Sequence, residues 1–194
     1  DYSLAFGRTE FTYAKLYSDP GDAAILYIAQ IGGSPSWADR FRVEGDLITQ
    51  LDGIGAGSNL RDLAASPDSD HVWTAAGSPY EIRESLPDSI VTTYPTGAYP
   101  RSVAYSPTDG GIIVAASTVS GGTVHVFQRG NSEALFTTRI VTMTSVRVDA
   151  RATRIFGLLE NQQLVVTRLG DRATAVDGTT SLGIGLGVEF LSID

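Results

Sequence analysis

The chain has 194 residues, of which 42% are hydrophobic and 19% charged, and these proportions are typical of a folded globular domain rather than a disordered segment. Its formal net charge is −8 at pH 7, which argues against nucleic acid as a partner because phosphate binding requires a basic surface. It contains no cysteine, so disulfides, thiolate metal sites and cysteine nucleophiles are excluded. No apolar run approaches the roughly 20 residues of a membrane-spanning helix, so no membrane span is expected.

A turn motif recurs along the sequence at steps of 48, 40 and 43 residues. It occurs at residues 18–22, 66–70 and 106–109 and, in degenerate form, at 149–153. In the third copy Pro107 sets φ, the Asp109 side chain can bond nearby backbone, and the following glycines accept positive φ. A period of roughly 40–50 residues is typical of one four-stranded propeller blade per repeat.

Each turn is followed by an apolar run, a polar break and two further candidate strands. The runs that read as second strands are residues 24–29, 72–76, 112–116 and 155–159. The predicted third strands are 38–43, 80–84, 123–128 and 164–169, and the predicted fourth strands are 47–51, 90–94, 134–138 and 173–176. No segment has a sustained apolar period of 3.6 residues, so no helix is expected. The glycine-rich residues 53–57 and 183–187 are expected to be flexible loops, the latter because no helix follows as a nucleotide-binding loop would require.

The pattern predicts an all-β fold, a β-propeller segment of about four four-stranded blades. The expected repeats are residues 8–55, 56–97, 98–141 and 142–185, with the start of a further repeat at 186–194. Residues 2–6 resemble the last strand of a preceding unit, and 188–194 resemble the first strand of a following one. We therefore expect that the sequence begins and ends within a repeat, lacks an upstream region or leader, and is completed by another segment, another polypeptide or self-assembly. A self-closed four-bladed ring fits the length but leaves these surplus strands unexplained.

Residues 96–107, 113–117 and 122–127 together resemble the YVTN-type β-propeller repeat. That repeat has a glycine- and proline-marked loop, an opening strand, a Ser-Pro-Asp-Gly turn, a Tyr-Val-Ala-Asn-like strand and a Gly-Thr-Val third strand. Residues 63–68, Leu-Ala-Ala-Ser-Pro-Asp, follow the same pattern, whereas the first and fourth units match only in spacing. Such repeats are similar to those of bacterial and archaeal surface or secreted proteins, periplasmic binding propellers, and a few lactonases and lyases.

The resemblance implies a non-catalytic module for protein interaction or structural assembly, extracellular, at the cell surface or periplasmic, and without a cofactor. Its expected partner is a protein or the remaining blades of a longer propeller, with a glycan as a further candidate. One alternative is a lactonase- or lyase-like enzyme with acids and a metal at the channel mouth. The other is a carbohydrate-binding propeller, in which Trp37 and Tyr80 or Tyr99 would form exposed flat platforms.

Six residues are candidates for ligand binding because propeller loops entering each blade share a face with the loops between second and third strands. They are Trp37, Asn59, Arg61, Tyr80, Tyr99 and Arg101. Exposed aromatic and arginine side chains commonly anchor recognition surfaces, and an arginine pair favours a carboxylate or phosphate. The alternative is that the aromatic rings pack between blades and the arginines pair with local acids such as Asp62.

The remaining chemistry-bearing residues are turn acids and two histidines. Asp19 with Asp22, and Asp68 with Asp70, could be calcium ligands, but their recurrence at the repeat turn favours a role in capping turn backbone. His71 and His125 are the only histidines. The sequence shows no partner set that would give either one a catalytic or metal-binding role, so none is expected.

Overall fold

A computed structural model describes residues 14–67, 70–118, 121–139, 142–160, 163–169 and 176–181. The described residues form four antiparallel sheets, and the strands of each follow one another in sequence order, except that the fifth strand of the first sheet pairs with the third. Thr108–Gly110 forms a single 3₁₀ turn. No described helix has the length and apolar character to cross a membrane.

The first two sheets contain strands β1 to β9. The first sheet comprises β1 (Ala14–Ser18), β2 (Ile25–Gln30), β3 (Ser36–Glu44), β4 (Leu47–Gln50) and β5 (Ile54–Gly57). The second comprises β6 (Asp62–Ala65), β7 (Val72–Gly77), β8 (Tyr80–Leu86) and β9 (Ser89–Pro95).

The last two sheets contain strands β10 to β17. The third comprises β10 (Pro100–Ser106), β11 (Ile112–Ser117), β12 (Thr123–Gln128) and β13 (Ala134–Arg139). The fourth comprises β14 (Met143–Val148), β15 (Arg154–Leu159), β16 (Gln163–Arg168) and β17 (Val176–Ser181). The predicted all-β fold, a propeller segment of about four blades, is therefore confirmed.

The core lies between consecutive sheets, and β11 shows why its sequence is apolar throughout. Successive side chains of a strand point to opposite faces. Ile112, Val114 and Ala116 pack towards the fourth sheet, in one cluster with Val146. Ile113 and Ala115 pack towards the second sheet, in another cluster. Because all six residues of β11 are buried, both faces of this strand are covered by neighbouring blades.

The turn between β10 and β11 confirms the predicted chemistry with one shift in position. Pro107 has φ −73°. Gly110 and Gly111 have φ +80° and +105°, in the region that glycine tolerates best. The left-handed stretch begins one residue earlier, at Asp109 with φ +53°, and aspartate is one of the few other residues that visits this region.

Two strand predictions were wrong in their details. Residues 53–57, expected to be a flexible loop, contain strand β5, which pairs with the start of β3 where Trp37 lies opposite Gly55. The rest of β3 pairs with β4, so β4 and β5 together occupy the place of one fourth strand. The fourth strand of the last unit, expected at 173–176, is described over Val176–Ser181, and residues 173–175 lie outside the described residues.

Several expectations fall on residues outside the described ranges. They concern the candidate strands at 2–6 and 188–194, the glycine-rich residues 183–187, and Asp68.

Candidate functional site

The loops that precede each sheet and those that join its second and third strands lie on one side of the molecule, here called the upper rim. Backbone hydrogen bonds tie these two loop types together. Gly32 N donates to Leu60 O at 3.1 Å, and Thr118 N donates to Tyr99 O at the same distance. These two loop types therefore contact each other directly.

Tyr80 and Tyr99 form an exposed aromatic pair on the upper rim. Their ring centroids are 4.7 Å apart and their planes meet at 50°. The two side chains are 43% and 41% exposed. A side-chain hydrogen bond to Tyr99 raises the pKa of Tyr80 above its usual value, so Tyr80 is a neutral phenol at physiological pH. The pair thus offers apolar ring surface and two hydroxyl groups to a partner.

Gly77 makes room for this pair. A Cβ atom at Gly77 would lie 2.9 Å from Tyr99 Cε1 and 2.8 Å from the Cβ of Asn59. Asn59 itself adopts φ +54°, and its N–H donates to Gly33 O at 2.7 Å. Asn59 therefore lies next to the aromatic pair, held there by backbone geometry that asparagine tolerates.

A cleft of about 470 Å³ lies beside the aromatic pair, between the second and third sheets. Its lining residues are Arg61, Tyr99, Pro100, Arg101 and Thr118. The structure thus brings two of the candidate arginines and one of the candidate tyrosines to a single cleft. We call this set the rim cleft.

The two arginines of the rim cleft differ in their partners. Arg101 Nη1 lies 3.2 Å from Glu160 Oε1, and both side chains are largely exposed. Arg61 is exposed, and its guanidinium forms no ion pair with the residues that the structure describes. Neither arginine pairs with Asp62, but the Arg101–Glu160 pair is an instance of the alternative in which the arginines pair with local acids.

Trp37 lies apart from the other candidates. It lines a separate cleft of about 360 Å³ between the first two sheets, together with Gly55, Arg83 and Ile90. This cleft shares no lining residue with the rim cleft. Trp37 is half-buried beside Gly55, where an added Cβ would lie 3.6 Å from Trp37 Cζ3.

Asp62 is buried where the first strands of the four sheets meet. Its carboxylate accepts hydrogen bonds from Tyr17 OH at 2.8 Å, from Val103 N at 3.1 Å and from Ser102 Oγ. Arg147 Nη1 lies 3.4 Å away and supplies a positive charge. The side chain is only 3% exposed, so this acid connects β1, β6, β10 and β14 and is not available to a ligand.

Ser102 repeats the role of Asp62 one sheet further on. Val103 N donates to Asp62 Oδ2, and Val146 N donates to Ser102 Oγ at 3.0 Å. In both cases a side chain on one first strand accepts the backbone N–H of the next first strand. These two N–H groups are buried and have no partner in a neighbouring strand on the side facing the previous sheet. The side-chain acceptors supply the hydrogen bond that a buried N–H group requires.

Glu84 is a second buried acid, and it joins the second and third sheets. It accepts hydrogen bonds from Tyr94 OH at 2.6 Å and from Arg129 Nε at 2.7 Å. His71 Nδ1 lies 2.8 Å from the same carboxylate. Burial and the hydrogen bond to Glu84 raise the pKa of Tyr94 to about 12. The Arg129 guanidinium also lies 5.6 Å above the Trp73 ring, so this network closes an interface between blades.

The other histidine, His125, is buried in β12 between two hydroxyl groups. Its Nε2 is 3.0 Å from Ser117 Oγ, and its Nδ1 is 3.5 Å from Thr137 Oγ1. Burial lowers its pKa below the usual value, so the ring is neutral at pH 7. His71 contacts Glu84, whereas His125 lies between Ser117 and Thr137, so the two histidines have different partners.

Of the turn acids, Asp19 and Asp22 cap backbone groups, as expected. Asp19 Oδ1 accepts hydrogen bonds from the N–H groups of Gly21 and Asp22, and Asp22 Oδ1 accepts one from Ala24. Asp70 forms an ion pair with Arg40 at 3.3 Å. Within the described ranges, no group of three or more histidine and acidic side chains is arranged to hold a metal ion.

Two of the buried acids, Asp62 and Glu84, have structural roles that sequence reasoning missed. The alternation of inward and outward side chains along each strand contained a signal for both acids. Glu84 shares its face of β8 with buried Ile82, and Asp62 occupies the position that Ser102 takes in the next repeat. An acid at an inward position of a propeller strand predicts a buried partner, which here comes from another sheet.

Comparison with known proteins indicates a fold and no family. No family model matches the sequence, and no curated protein matches it either. A solved structure of hydrazine synthase from Kuenenia stuttgartiensis is similar, with a TM-score of 0.64 and 13% sequence identity. The match covers 84% of this protein and 48% of the other, so the sequence spans about half the length of that protein. At this identity the likeness shows the propeller fold alone.

Proposed function

We propose that this protein is a non-catalytic propeller module that binds a protein partner through its upper rim. The observation that carries the proposal is the exposed Tyr80–Tyr99 pair beside a cleft lined by two arginines. Tyrosine and arginine are enriched at the energetically dominant positions of protein interfaces. The resemblance to YVTN-type repeats supports an extracellular, cell-surface or periplasmic setting.

The carbohydrate-binding alternative receives less support from the geometry. A sugar ring stacks on a flat aromatic face, whereas Tyr80 and Tyr99 are tilted by 50° and cover part of each other. Trp37, the third ring expected in such a platform, lines a different cleft. A tilted tyrosine pair is better suited to contacts with the side chains of a protein.

The described ranges also contain no feature that favours the enzyme alternative. Two buried acids, Asp62 and Glu84, have their oxygens occupied by donors from neighbouring sheets or, in the case of Tyr94, from the same sheet. A lactonase- or lyase-like site would place acids at the channel mouth with open coordination positions. Turnover of lactones that depends on an added divalent ion would favour the enzyme over the binding module.

Site-specific photocrosslinking in the producing cells tests the proposal. A photoreactive phenylalanine analogue replaces Tyr80 in one variant and Leu135, an exposed residue of outer strand β13, in the control. We expect a discrete protein adduct from position 80 and none of the same mass from position 135. Equal adducts from both positions, or adducts that carry only glycan, would contradict the proposal.

A further inference from the structure

The rim cleft concentrates positive charge on an otherwise acidic protein. The net charge is −8, yet Arg61 and Arg101 line the same cleft, and no acidic side chain is among the described residues that line it. Its volume of about 470 Å³ is sufficient for one or two side chains of a partner. Tyr99 and Pro100 give it an apolar wall.

The contact between Glu160 and Arg101 shows that a carboxylate group fits the positive charge of the rim cleft. Its carboxylate reaches Arg101 from the loop after β15, at 3.2 Å. Because both side chains are exposed, at 42% and 55%, the pair is screened by solvent and contributes little to stability. A carboxylate from outside can therefore replace Glu160 at small cost.

We propose that the rim cleft binds a carboxylate group of a protein partner, held between Arg61 and Arg101, with a neighbouring apolar side chain packed on Tyr99. This inference rests on the proposed function and adds the chemistry of the ligand. The carboxylate comes from an Asp or Glu side chain or from the C-terminus of a polypeptide. Guanidinium groups bind carboxylates through paired hydrogen bonds, which gives the cleft its selectivity. Glu160 acts as an internal competitor for Arg101.

Two peptide display libraries test the ligand chemistry against the purified protein. One library presents random peptides embedded within a carrier protein, so that they have no free C-terminus and their only carboxylates are Asp and Glu side chains. The other presents peptides with free C-termini. We expect enrichment of an Asp or Glu in the first library, or of a free C-terminus with an adjacent apolar residue in the second. Enriched sequences without a carboxylate requirement would overturn the inference.

Variants then place the enriched peptide in the rim cleft. Replacing the carboxylate by an amide, or introducing Arg61→Gln or Arg101→Gln, should weaken binding about tenfold, since each change removes a charge-assisted hydrogen bond. Glu160→Gln should strengthen binding, by up to about fivefold, because it removes the competitor. Arg151→Gln, at an exposed arginine outside this cleft, should leave the affinity unchanged.

The variant Glu160→Gln is the sharpest part of the test because a merely structural role for Glu160 would not raise affinity. Unchanged or weaker binding by this variant would contradict the competitor role. Inorganic phosphate that displaces the peptide where the same concentration of acetate does not would assign the cleft to phosphate instead.

The peptide libraries test the ligand chemistry and the crosslinking experiment tests the binding module, so either proposal can fail while the other stands. If crosslinks form at position 80 while the enriched peptides need no carboxylate, the ligand chemistry is wrong and the binding module stands. If neither position 80 crosslinks a protein nor any peptide is enriched, both proposals are wrong.

Discussion

Arg61 and Asp62 are neighbours in the sequence, yet they belong to regions with opposite properties. Arg61 lies in the rim cleft, exposed and without an ion pair to any described residue. Asp62 is 3% exposed, and its carboxylate contacts groups from three other sheets. One residue step therefore separates a charge that is open to a partner from a charge that holds the blades together.

The difference follows from where each side chain finds donors or acceptors. A buried carboxylate is tolerated only when hydrogen bonds and an opposite charge compensate its lost hydration, and Asp62 and Glu84 both meet this condition. An exposed guanidinium remains hydrated by water and needs no fixed partner. Asp62 and Glu84 thus act as structural acids between blades, whereas Arg61 is a charge on the rim that is open to a partner.

Among the substitutions that test this difference, Asp62→Ala is expected to have the largest effect on stability. The change leaves Arg147 without its buried partner and removes acceptors for Tyr17, Ser102 and Val103. Breaking a buried pair in this way should lower the free energy of unfolding by about 3–5 kcal/mol. Urea unfolding monitored by tryptophan fluorescence measures the change.

Asp46→Ala is the matched control for Asp62, because Asp46 is an exposed acid in the turn after β3. It should leave the unfolding midpoint in place. If Asp62→Ala behaved like Asp46→Ala, the connection of the four first strands through one carboxylate would be wrong.

A smaller loss is expected for Glu84→Gln. Glutamine keeps the shape of the side chain but removes the negative charge that Arg129 and His71 face. Losing charge-assisted hydrogen bonds should destabilise the fold by about 2–3 kcal/mol. Thermal unfolding measures the change, and Glu133→Gln, at an exposed position before β13, serves as the control. Equal midpoints for the two variants would contradict a structural role for Glu84.

Ser102→Ala tests the hydrogen bonds that pass from one first strand to the next. The variant removes the acceptor for Val146 N and one donor to Asp62. A buried N–H without a partner should cost about 1–2 kcal/mol. The exchange rate of the Val146 amide, followed by NMR, should rise with the variant. A protected Val146 amide in Ser102→Ala would show that another group satisfies it.

The smallest expected effect is the contribution of His125 to the pH dependence of stability. Its folded-state pKa is lowered by burial, so the unfolded polypeptide binds a proton at a higher pH than the folded one. The contribution of this group to stability is therefore complete above its ordinary value of 6.5 and declines as the pH falls from 6.5 towards the lowered pKa. His125→Gln should remove this decline, which unfolding midpoints measured at several pH values can detect. An identical pH dependence in both proteins would contradict the assignment.

Strand alternation and turn spacing were sufficient to predict most of the fold. The run at residues 112–116 has the β-branched and small side chains that a strand covered on both faces requires, and β11 has those properties. Strand β5 was missed because Gly53, Gly55 and Gly57 suggest flexibility locally. Pairing with β3 fixes this segment, and Gly55 provides the space that the Trp37 ring occupies.

The candidate site was predictable only where the repeat itself positions residues. Arg61 and Arg101 hold equivalent places in successive repeats, so their arrival at one cleft follows from the blade geometry. The partner of Asp62 could not be predicted, because Arg147 is 85 residues away and lies two sheets further on. Trp37 was grouped with the rim because it was assigned to the loop between a second and a third strand, but it lies at the start of β3 and lines another cleft.

Parallel measurements on Arg61→Gln and Asp62→Ala test the central claim most directly, because the two positions are adjacent. Each variant is compared with the parent protein in urea unfolding and in binding of the peptide selected for the rim cleft. We predict that Arg61→Gln keeps the parent unfolding midpoint and loses about tenfold in affinity, whereas Asp62→Ala unfolds at markedly lower urea. Contradiction would come from an Arg61→Gln protein that binds like the parent, or that unfolds as early as Asp62→Ala.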